Sequence, residues 1–354
     1  MPDRKDGALR ARIQAAADGI TLEYMGRGYF PSAAVSVFTK EGPVYRAAYG
    51  DVTEDTLFDV ASLTKFLTAT QVLLLIDRGV FGLEDSILSL LPEAAKRPAA
   101  AERLKGVTVK MLLTHTSGIV DWYPFYAEAG GFYDVLDKVL PLYEKRQGME
   151  YSDINFMLLG LLVEEAMGMP LADCLRANVS VPLSAPTLCY CPDPRLPIAP
   201  SCYGNPIEED MCRERGIVFA GWRPHAAVRG QVNDGNAHYF FHGVAGHAGA
   251  FARVADYEAL CRMYLAAASP LFQSAMEEQA QGRGLGFARG DMYPMGCGHT
   301  GFTGTAIYLS RELNIGVAAF TNRLFFKDRN PNSTQEYRRA LFHAVADIVA
   351  SEGR

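Results

Sequence analysis

The tetrad Ser62-Leu63-Thr64-Lys65 contains the residue types and spacing that point most directly to chemistry in this chain. A serine hydroxyl is a weak nucleophile at neutral pH and needs a nearby base. Residues three apart on a helix share a face, so Ser62 and Lys65 would be neighbours there. A desolvated lysine loses basicity and can accept the serine proton. We therefore expect Ser62 to be a nucleophile and Lys65 its base, with a plain N-cap serine as the alternative.

The residues after Ser62 have the periodicity of an amphipathic helix. Apolar side chains recur at Phe66, Ala69, Leu73 and Ile76, and the pattern stops at residues 77–79, Asp-Arg-Gly. A helix that begins at Ser62 presents free N–H groups and the positive end of its dipole, both of which favour an oxyanion.

A second signal is Tyr151-Ser152-Asp153, which precedes the apolar segment Ile154–Val163. Serine and aspartate are natural helix-starting residues, and this is the structural interpretation of the motif. A phenol flanked by a lysine loses its proton more readily and can relay protons between a serine and a leaving group. The sequence therefore predicts Tyr151 as a proton relay.

A third signal is Gly298-His299-Thr300-Gly301-Phe302. Glycine in a strand often marks the close approach of a ligand or another backbone segment. Because side chains alternate along a strand, His299 and Gly301 are expected on one face, with Gly301 leaving room beside His299. The N–H of Phe302 would join that of Ser62 to hold a developing oxyanion. A glycine-kinked hairpin with a solvated histidine is the alternative.

Other histidines and cysteines are assigned no catalytic role. The histidines at 238, 242 and 247 lack an H-E-x-x-H pattern, and the glycine-rich segment Gly243–Phe251 predicts a tight backbone crossing near the site. His115 is expected to be a hydrogen-bonded turn residue. Four clustered cysteines lack the paired spacing of zinc ligands and are expected to be free thiols: Cys189, Cys191, Cys202 and Cys212. No metal or organic cofactor is expected.

The composition of the 354 residues is that of a globular protein, with 49% hydrophobic and 21% charged residues. A net charge of −6 without a long basic block argues against nucleic acid or an anionic membrane as partner. The longest apolar runs are far shorter than a membrane span, and the N-terminal segment lacks the apolar core of a signal peptide. Seven cysteines, an odd number, suit a reducing compartment. A cytoplasmic location is therefore expected, whereas the oligomeric state is not indicated.

The predicted elements place strands near both chain ends and helices between them. Strands are expected at Pro31–Phe38, Val44–Tyr49, Gly301–Leu309 and Asn314–Thr321. Helices are expected at 8–25, from Ser62, and at 107–115, 132–146, 154–167, 170–179, 254–267 and 334–350, whereas 185–235 is expected to be irregular. This order predicts an α+β protein with one sheet-and-helix lobe, about 1–78 and 240–354, and a helical lobe, about 79–239. We expect the site to lie between the lobes.

Together and in this order, the three motifs resemble the serine β-lactamase and penicillin-binding protein superfamily, most nearly its class C β-lactamase and family VIII esterase branch. The order there is Ser-x-x-Lys, Tyr-x-Asn, then Lys-Thr-Gly or His-x-Gly. The resemblance implies an antiparallel sheet flanked by helices plus a mostly helical lobe. It also implies Ser62 as nucleophile, Lys65 as base, Tyr151 as relay and an oxyanion hole at the N–H groups of Ser62 and Phe302. Asp153, His299, Gly301 and Phe302 would then contact substrate.

Two residues depart from the family pattern. His299 stands where lysine is frequent and would be largely neutral at pH 7, which weakens the case for carboxylate-bearing substrates. Asp153 stands where asparagine is usual and, when ionised, only accepts hydrogen bonds. The sequence therefore predicts a serine hydrolase of a small carboxylic ester, amide or peptide. The alternatives are a β-lactamase or D-alanyl-D-alanine carboxypeptidase, and a non-catalytic binding protein on the same fold.

Overall fold

The structure is a computed structural model that describes residues 2–352, with the side chains of residues 7–352. Its central sheet has five antiparallel strands in the order β2-β1-β10-β9-β8. The strands of this sheet are β1 (Ala33–Phe38), β2 (Pro43–Tyr49), β8 (Cys297–Thr300), β9 (Ala306–Ser310) and β10 (Ile315–Thr321). Two smaller sheets contain β3 (Phe58–Asp59), β4 (Cys189–Tyr190) and β7 (Ala250–Ala252), and β5 (Cys202–Tyr203) and β6 (Ala227–Val228).

Thirteen α-helices lie within the described residues, together with short 3₁₀ and π turns. They are α1 (Pro2–Gly26), α2 (Leu63–Asp77), α3 (Ile87–Leu90), α4 (Pro92–Ala95), α5 (Pro98–Leu104), α6 (Val109–Leu113), α7 (Phe132–Val139), α8 (Asp153–Met167), α9 (Leu171–Leu175), α10 (Pro206–Glu214), α11 (Val254–Ala266), α12 (Pro270–Ala275) and α13 (Gln335–Glu352). Between residues 2 and 352, no single helix has the length and apolar composition of a membrane span, whereas the bent pair Asp153–Met167 and Leu171–Ser180 meets both criteria jointly.

Strand β1 is buried on both faces because helices cover the sheet on each side. Val35 and Val37 pack into the cluster formed with α1 and α13, whereas Ala34 and Phe38 pack into the main core with α2 and α11. This division follows from the alternation of side chains along a strand. The sheet therefore lies between two apolar cores, one on each of its faces.

The predicted fold class is confirmed: an antiparallel sheet is flanked by helices, and chain segments from both ends build it. The boundaries of the two lobes stay a prediction. The segment 185–235 is less irregular than expected, since it contains α10 and three two-residue strands.

The predicted strand Gly301–Leu309 is wrong in its first half. The chain forms strand β8 up to Thr300, then turns, and strand β9 begins only at Ala306. The turn is closed by the Gly301 N–H, which donates to Thr305 O at 2.7 Å, and by the Gly304 N–H, which donates to Gly301 O at 3.1 Å. Gly304 has φ +116°, a value that strands exclude and glycine tolerates. The glycines therefore reverse the chain here instead of continuing a strand.

The glycine-rich segment crosses α8 at very short range, as predicted. A Cβ atom on Gly246 would lie 2.1 Å from Phe156 O and 2.7 Å from Gly160 Cα. This close approach places the carbonyl groups of Gly246 and His247 against helix α2, where they accept hydrogen bonds from Thr68 and Lys65.

We expect Gly246→Ala to lower the free energy of unfolding by about 1–3 kcal/mol, because the added methyl group overlaps the α8 backbone. Urea unfolding followed by circular dichroism measures this change. Gly19→Ala is the matched control, since a Cβ there meets no atom within 4 Å. Equal stability of the two variants would contradict the crossing.

Candidate active site

Ser62 lies at the N-terminus of α2, but its side chain does not cap the helix. The Ser62 hydroxyl oxygen instead accepts a hydrogen bond from Lys65 Nζ at 2.9 Å. The preceding residue, Ala61, has φ +48°, an uncommon conformation for a residue with a Cβ. The sharp turn at Ala61 and the absence of a capping bond leave the hydroxyl available to a substrate, which is the outcome the catalytic interpretation requires.

Lys65 is fully buried and its ammonium group has three partners from separate chain segments. Besides Ser62, Lys65 Nζ donates to His247 O at 3.0 Å and lies 2.7 Å from Asp153 Oδ1. Asp153 is the first residue of α8 and is 17% exposed. The aspartate that replaces the usual asparagine therefore pairs with the lysine.

This pairing changes the expected state of Lys65. Burial by itself lowers the pKa of Lys65, but the Asp153 carboxylate and, after it, the neighbouring Tyr151 side chain outweigh burial and raise the pKa above its ordinary value. Lys65 is then a cation at neutral pH. A general base must be a neutral amine before it accepts a proton, and a raised pKa disfavours the neutral form. The environment of Lys65 therefore does not support its predicted role as the base.

Tyr151 lies between two cations, and its ring packs at a tilt against that of a histidine. Lys65 Nζ is 5.0 Å and Arg283 Cζ is 5.5 Å from the centroid of its ring. The His115 ring lies 4.5 Å away at an interplanar angle of 33°. His115 has φ +59° and its Nδ1 accepts the Ser152 N–H at 3.0 Å, so it is the hydrogen-bonded turn residue that was predicted. Its packing also positions Tyr151.

His299 is 3% exposed and is held as a neutral group. Burial, followed by the charges of Lys65 and Arg283, lowers the pKa of His299 to about 3. Its Nδ1 lies 3.0 Å from Thr300 O. Because a carbonyl oxygen only accepts, Nδ1 carries the proton and Nε2 is free to accept a hydrogen bond. The expectation of a neutral histidine at this position agrees with this environment, whereas the alternative of a solvated histidine does not.

Gly301 is needed for a different contact than the one expected. A Cβ at Gly301 would lie 2.5 Å from Val60 O and 2.1 Å from Thr305 Oγ1, so glycine leaves room for the segment before Ser62 and not for His299. Two hydroxyl groups of the same turn hold that segment: Thr303 donates to Asp59 O at 2.7 Å and Thr305 donates to Val60 O at 2.9 Å. The third motif is thereby fixed against the segment that leads into Ser62.

The N–H groups of Ser62 and Phe302 are available for an oxyanion. In the described part of the chain, neither donates a backbone–backbone hydrogen bond. Ser62 and Phe302 also line one open cavity of about 320 Å³ with Tyr151, His299 and Gly301. The structure therefore brings together five of the seven predicted site residues in this cavity. The other two, Lys65 and Asp153, lie behind Ser62 as a buried ion pair.

Asp59 is a supporting residue that the sequence reasoning missed. Its carboxylate accepts the Ala61 N–H at 2.9 Å and the Asn233 N–H at 2.6 Å, and it holds the turn that precedes Ser62. Burial raises the pKa of Asp59 to about 6 despite these bonds. The sequence gives no local signal for the role of Asp59, because its hydrogen-bond partner Asn233 is far away in the chain.

A second pair, the partly buried Asp234 and the buried His247, lies beside Asp153. His247 Nε2 is 2.9 Å from Asp234 Oδ1, and ligand atoms of these two residues and of Asp153 all lie within 4.8 Å of one another. Burial opposes ionisation of Asp234, but His247 outweighs it and holds the pKa of this carboxyl below its usual range. Such a group can hold a metal ion in principle. The Asp153 oxygen is already paired with the Lys65 ammonium at 2.7 Å.

Comparisons with known proteins agree with the motifs. The family described as Beta-lactamase matches residues 17–340. The chain is 28% identical to the N-acetylmuramyl-L-alanine amidase of Bacillus subtilis (strain 168), with 86% of this chain and 80% of that protein covered. It is 27% identical to a putative D-alanyl-D-alanine carboxypeptidase of Escherichia coli (strain K12), with 86% and 82% covered. It is 35% identical to esterase EstB of Burkholderia gladioli over half of each chain.

A solved structure shows the same fold. The chain superimposes on EstCE1, described as a hydrolase with promiscuous acyltransferase activity, with a TM-score of 0.71 and 17% identity. The superposition covers 95% of this chain and 99% of that one. At this identity the match concerns the fold alone.

We expect Asp153→Asn to lower the pKa of Lys65, because burial then acts with a weaker opposing charge. The free energy of unfolding should fall by about 1–3 kcal/mol, since a buried cation loses its charged partner. Urea unfolding at pH 7 measures the change, with Asp121→Asn as a control on an exposed aspartate. An unchanged stability would show that the ion pair contributes nothing.

We expect His299 to make the protein less stable as the pH falls below 6.5. Its pKa is about 3 when folded and near 6.5 when unfolded, so the unfolded chain takes up the proton first. The loss of folding free energy caused by His299 is absent above pH 6.5 and grows as the pH falls to about 3. Unfolding of wild type and His299→Gln between pH 7 and 4.5 tests this, and parallel pH curves for the two proteins would contradict it.

Proposed function

We propose, from the premise that this chain belongs to the beta-lactamase family, that it is a serine hydrolase that forms an acyl-enzyme on Ser62 and transfers the acyl group to water. The substrate is a carboxylic ester or amide. The observation that carries this proposal is the Ser62 hydroxyl, which bonds Lys65 Nζ at 2.9 Å and opens into a cavity with Tyr151 and His299.

Tyr151 is the group that moves the proton. During acylation Ser62 Oγ bonds to the substrate carbonyl carbon, its proton passes to Tyr151 Oη, and the Tyr151 proton passes to the leaving group as the old bond breaks. Water then reverses the transfer: its oxygen bonds to the acyl carbon, the bond between that carbon and Ser62 Oγ breaks, and one proton of the water passes through Tyr151 to Ser62 Oγ as the carboxylic acid leaves. No net proton is left on the protein, so this route needs no neutral lysine.

Lys65 stabilises the charge that develops during these steps. As a buried cation that donates to Ser62 Oγ, it favours negative charge on the attacking and relaying oxygens. The Asp153 carboxylate keeps it charged and fixed. The N–H groups of Ser62 and Phe302 receive the carbonyl oxygen of the tetrahedral intermediate.

Two related proteins support an ester or amide as the substrate. The Bacillus relative is named as an amidase and the Burkholderia relative as an esterase. A D-alanyl-D-alanine carboxypeptidase activity is the second candidate, because the Escherichia relative carries that name over most of its length. A cytoplasmic location stays a prediction, and cell fractionation would test it.

We expect Ser62→Ala to lower kcat/KM for a chromogenic p-nitrophenyl ester by at least about a thousandfold, because the acyl-enzyme can no longer form. Ser89→Ala is the matched control, since Ser89 is exposed and lies outside the cavity. Mass spectrometry after treatment with a fluorophosphonate should show one adduct on Ser62 in the wild type.

Turnover that is unchanged in Ser62→Ala would refute the mechanism. The absence of any adduct on Ser62 of the folded wild type would instead favour a non-catalytic binding protein. Turnover of D-alanyl-D-alanine peptides clearly above that of esters would select the carboxypeptidase activity.

A further inference from the structure

The glycine-rich segment that supplies a partner for Lys65 has a single polar side chain. Of residues 243–249, only His247 has a side chain that can form a hydrogen bond. Its backbone oxygen accepts from Lys65 Nζ at 3.0 Å, and the residue is fully buried. Because the ring and the carbonyl group belong to one residue, a contact that fixes the ring also fixes the oxygen that faces the lysine.

Asp234 is the residue that fixes this ring. His247 Nε2 lies 2.9 Å from Asp234 Oδ1, and because an ionised carboxylate only accepts, Nε2 carries the proton and donates it. The Ala237 N–H also donates to Asp234 Oδ1, at 2.8 Å, and orients the carboxylate. The other ring nitrogen, Nδ1, has no hydrogen-bond partner among the described residues. The bond to Asp234 is therefore the one side-chain hydrogen bond of His247 in that part of the chain.

The residue before Asp234 supports the nucleophile from the other side. The Asn233 N–H donates to Asp59 Oδ2 at 2.6 Å, and Asp59 Oδ1 accepts the Ala61 N–H at 2.9 Å. Ala61 is the residue that leads into Ser62. Two consecutive residues therefore hold both the turn before the serine and the segment that faces the lysine.

The segment that carries these two residues is itself anchored. The Gly235 N–H donates to Glu208 Oε1 at 2.6 Å, and a Cβ at Gly235 would lie 2.1 Å from Glu208 Oε2. The Asn236 side chain accepts from the Phe125 N–H at 2.8 Å and donates to Tyr123 O at 2.8 Å. The segment is therefore a fixed support for its two contacts with the site.

Three oxygens share the ammonium group of Lys65, and they do not attract it equally. Lys65 Nζ lies 2.7 Å from the charged Asp153 carboxylate and 2.9 Å from the neutral Ser62 hydroxyl. A hydrogen bond between two charged groups is stronger than one to a neutral oxygen. When the His247 oxygen moves away, the lysine is therefore expected to turn toward Asp153 at the expense of Ser62.

We propose that Asp234 and His247 are positioning residues for the nucleophile, and that their hydrogen bond keeps Lys65 Nζ within bonding distance of Ser62 Oγ. This proposal rests on the proposed hydrolase function and adds to it two residues outside the three motifs. Neither is among the residues that line the catalytic cavity, so the pair acts through the His247 carbonyl group and not on the substrate.

Removal of the hydrogen bond from either side tests the proposal. We expect Asp234→Ala and His247→Phe, which keeps an aromatic ring in place, each to lower kcat for a p-nitrophenyl ester by about ten- to a hundredfold, the effect of a small misplacement at a reacting group. KM should change by less than about threefold. The double variant should be no slower than the slower single variant, because both changes delete the same contact. Asp234→Asn, whose side-chain oxygen still accepts, should recover kcat to within about fivefold of wild type.

Each kcat is counted per serine that a fluorophosphonate labels, so that unfolded protein does not enter the comparison. Asp256→Ala is the matched control. Asp256 is a buried aspartate on α11 that accepts the Arg253 N–H at 2.9 Å and the Thr187 hydroxyl at 2.7 Å, and it lies outside the cavity. This control should lower the free energy of unfolding and leave kcat within about twofold of wild type. A purely structural role for Asp234 and His247 would give the same result as the control.

Unchanged kcat in both single variants would overturn the positioning role while the hydrolase function stands. A double variant whose loss is the product of the two single losses would also overturn it, as would an Asp234→Asn variant as slow as Asp234→Ala. If Asp234→Ala does not fold, His247→Phe and Asp234→Asn carry the comparison.

If wild type neither hydrolyses the ester nor forms an adduct, the hydrolase function fails, and crystal structures of wild type and His247→Phe decide the inference. A hydrogen bond between Lys65 Nζ and Ser62 Oγ that is present in wild type and lost in the variant supports the positioning role. A hydrogen bond that the variant keeps, or that wild type lacks, overturns it.

Discussion

One buried ammonium group holds the candidate active site of this molecule together. Lys65 Nζ lies within 3.0 Å of an oxygen of Ser62, of Asp153 and of His247. These oxygens come from α2, from α8 and from the glycine-rich segment before β7. A buried charge that loses its partners is costly, so the three segments are constrained to meet at this point. The close crossing of Gly246 over α8 is a requirement of the same contact, because any side chain there would push the His247 carbonyl away from the lysine.

A second constraint comes from the central sheet. The turn between β8 and β9 carries Thr303 and Thr305, whose hydroxyl groups bind the backbone just before Ser62. Arg338, on the C-terminal helix α13, binds two carbonyl groups of that turn. Ser62, near the start of the chain, is therefore positioned by residues near its end, and the strained backbone at Ala61 persists because these contacts hold it.

The electrostatics of the site follow from this packing. Asp153 raises the pKa of Lys65 against the effect of burial, and Lys65 together with burial lowers the pKa of His299. The two replacements in the family motifs are thereby connected: an aspartate keeps the lysine charged, and the charged lysine helps to keep the histidine neutral. Arg283, from a segment outside all three motifs, also lines the cavity, as do Arg323 and Arg338.

The sequence by itself predicted that Ser62, Lys65 and Tyr151 belong to one site, because these signals are local: helical spacing joins Ser62 to Lys65, and residue type identifies Tyr151. It predicted a strand from Gly301, where the structure has a turn. It also predicted the sheet-and-helix order, since strand and helix periodicities are local properties. Only the tertiary structure decided the protonation of Lys65, the use of Asp59 and the place of Arg283 in the cavity. These depend on partners dozens to hundreds of residues away, and on burial, which no single segment of the chain specifies.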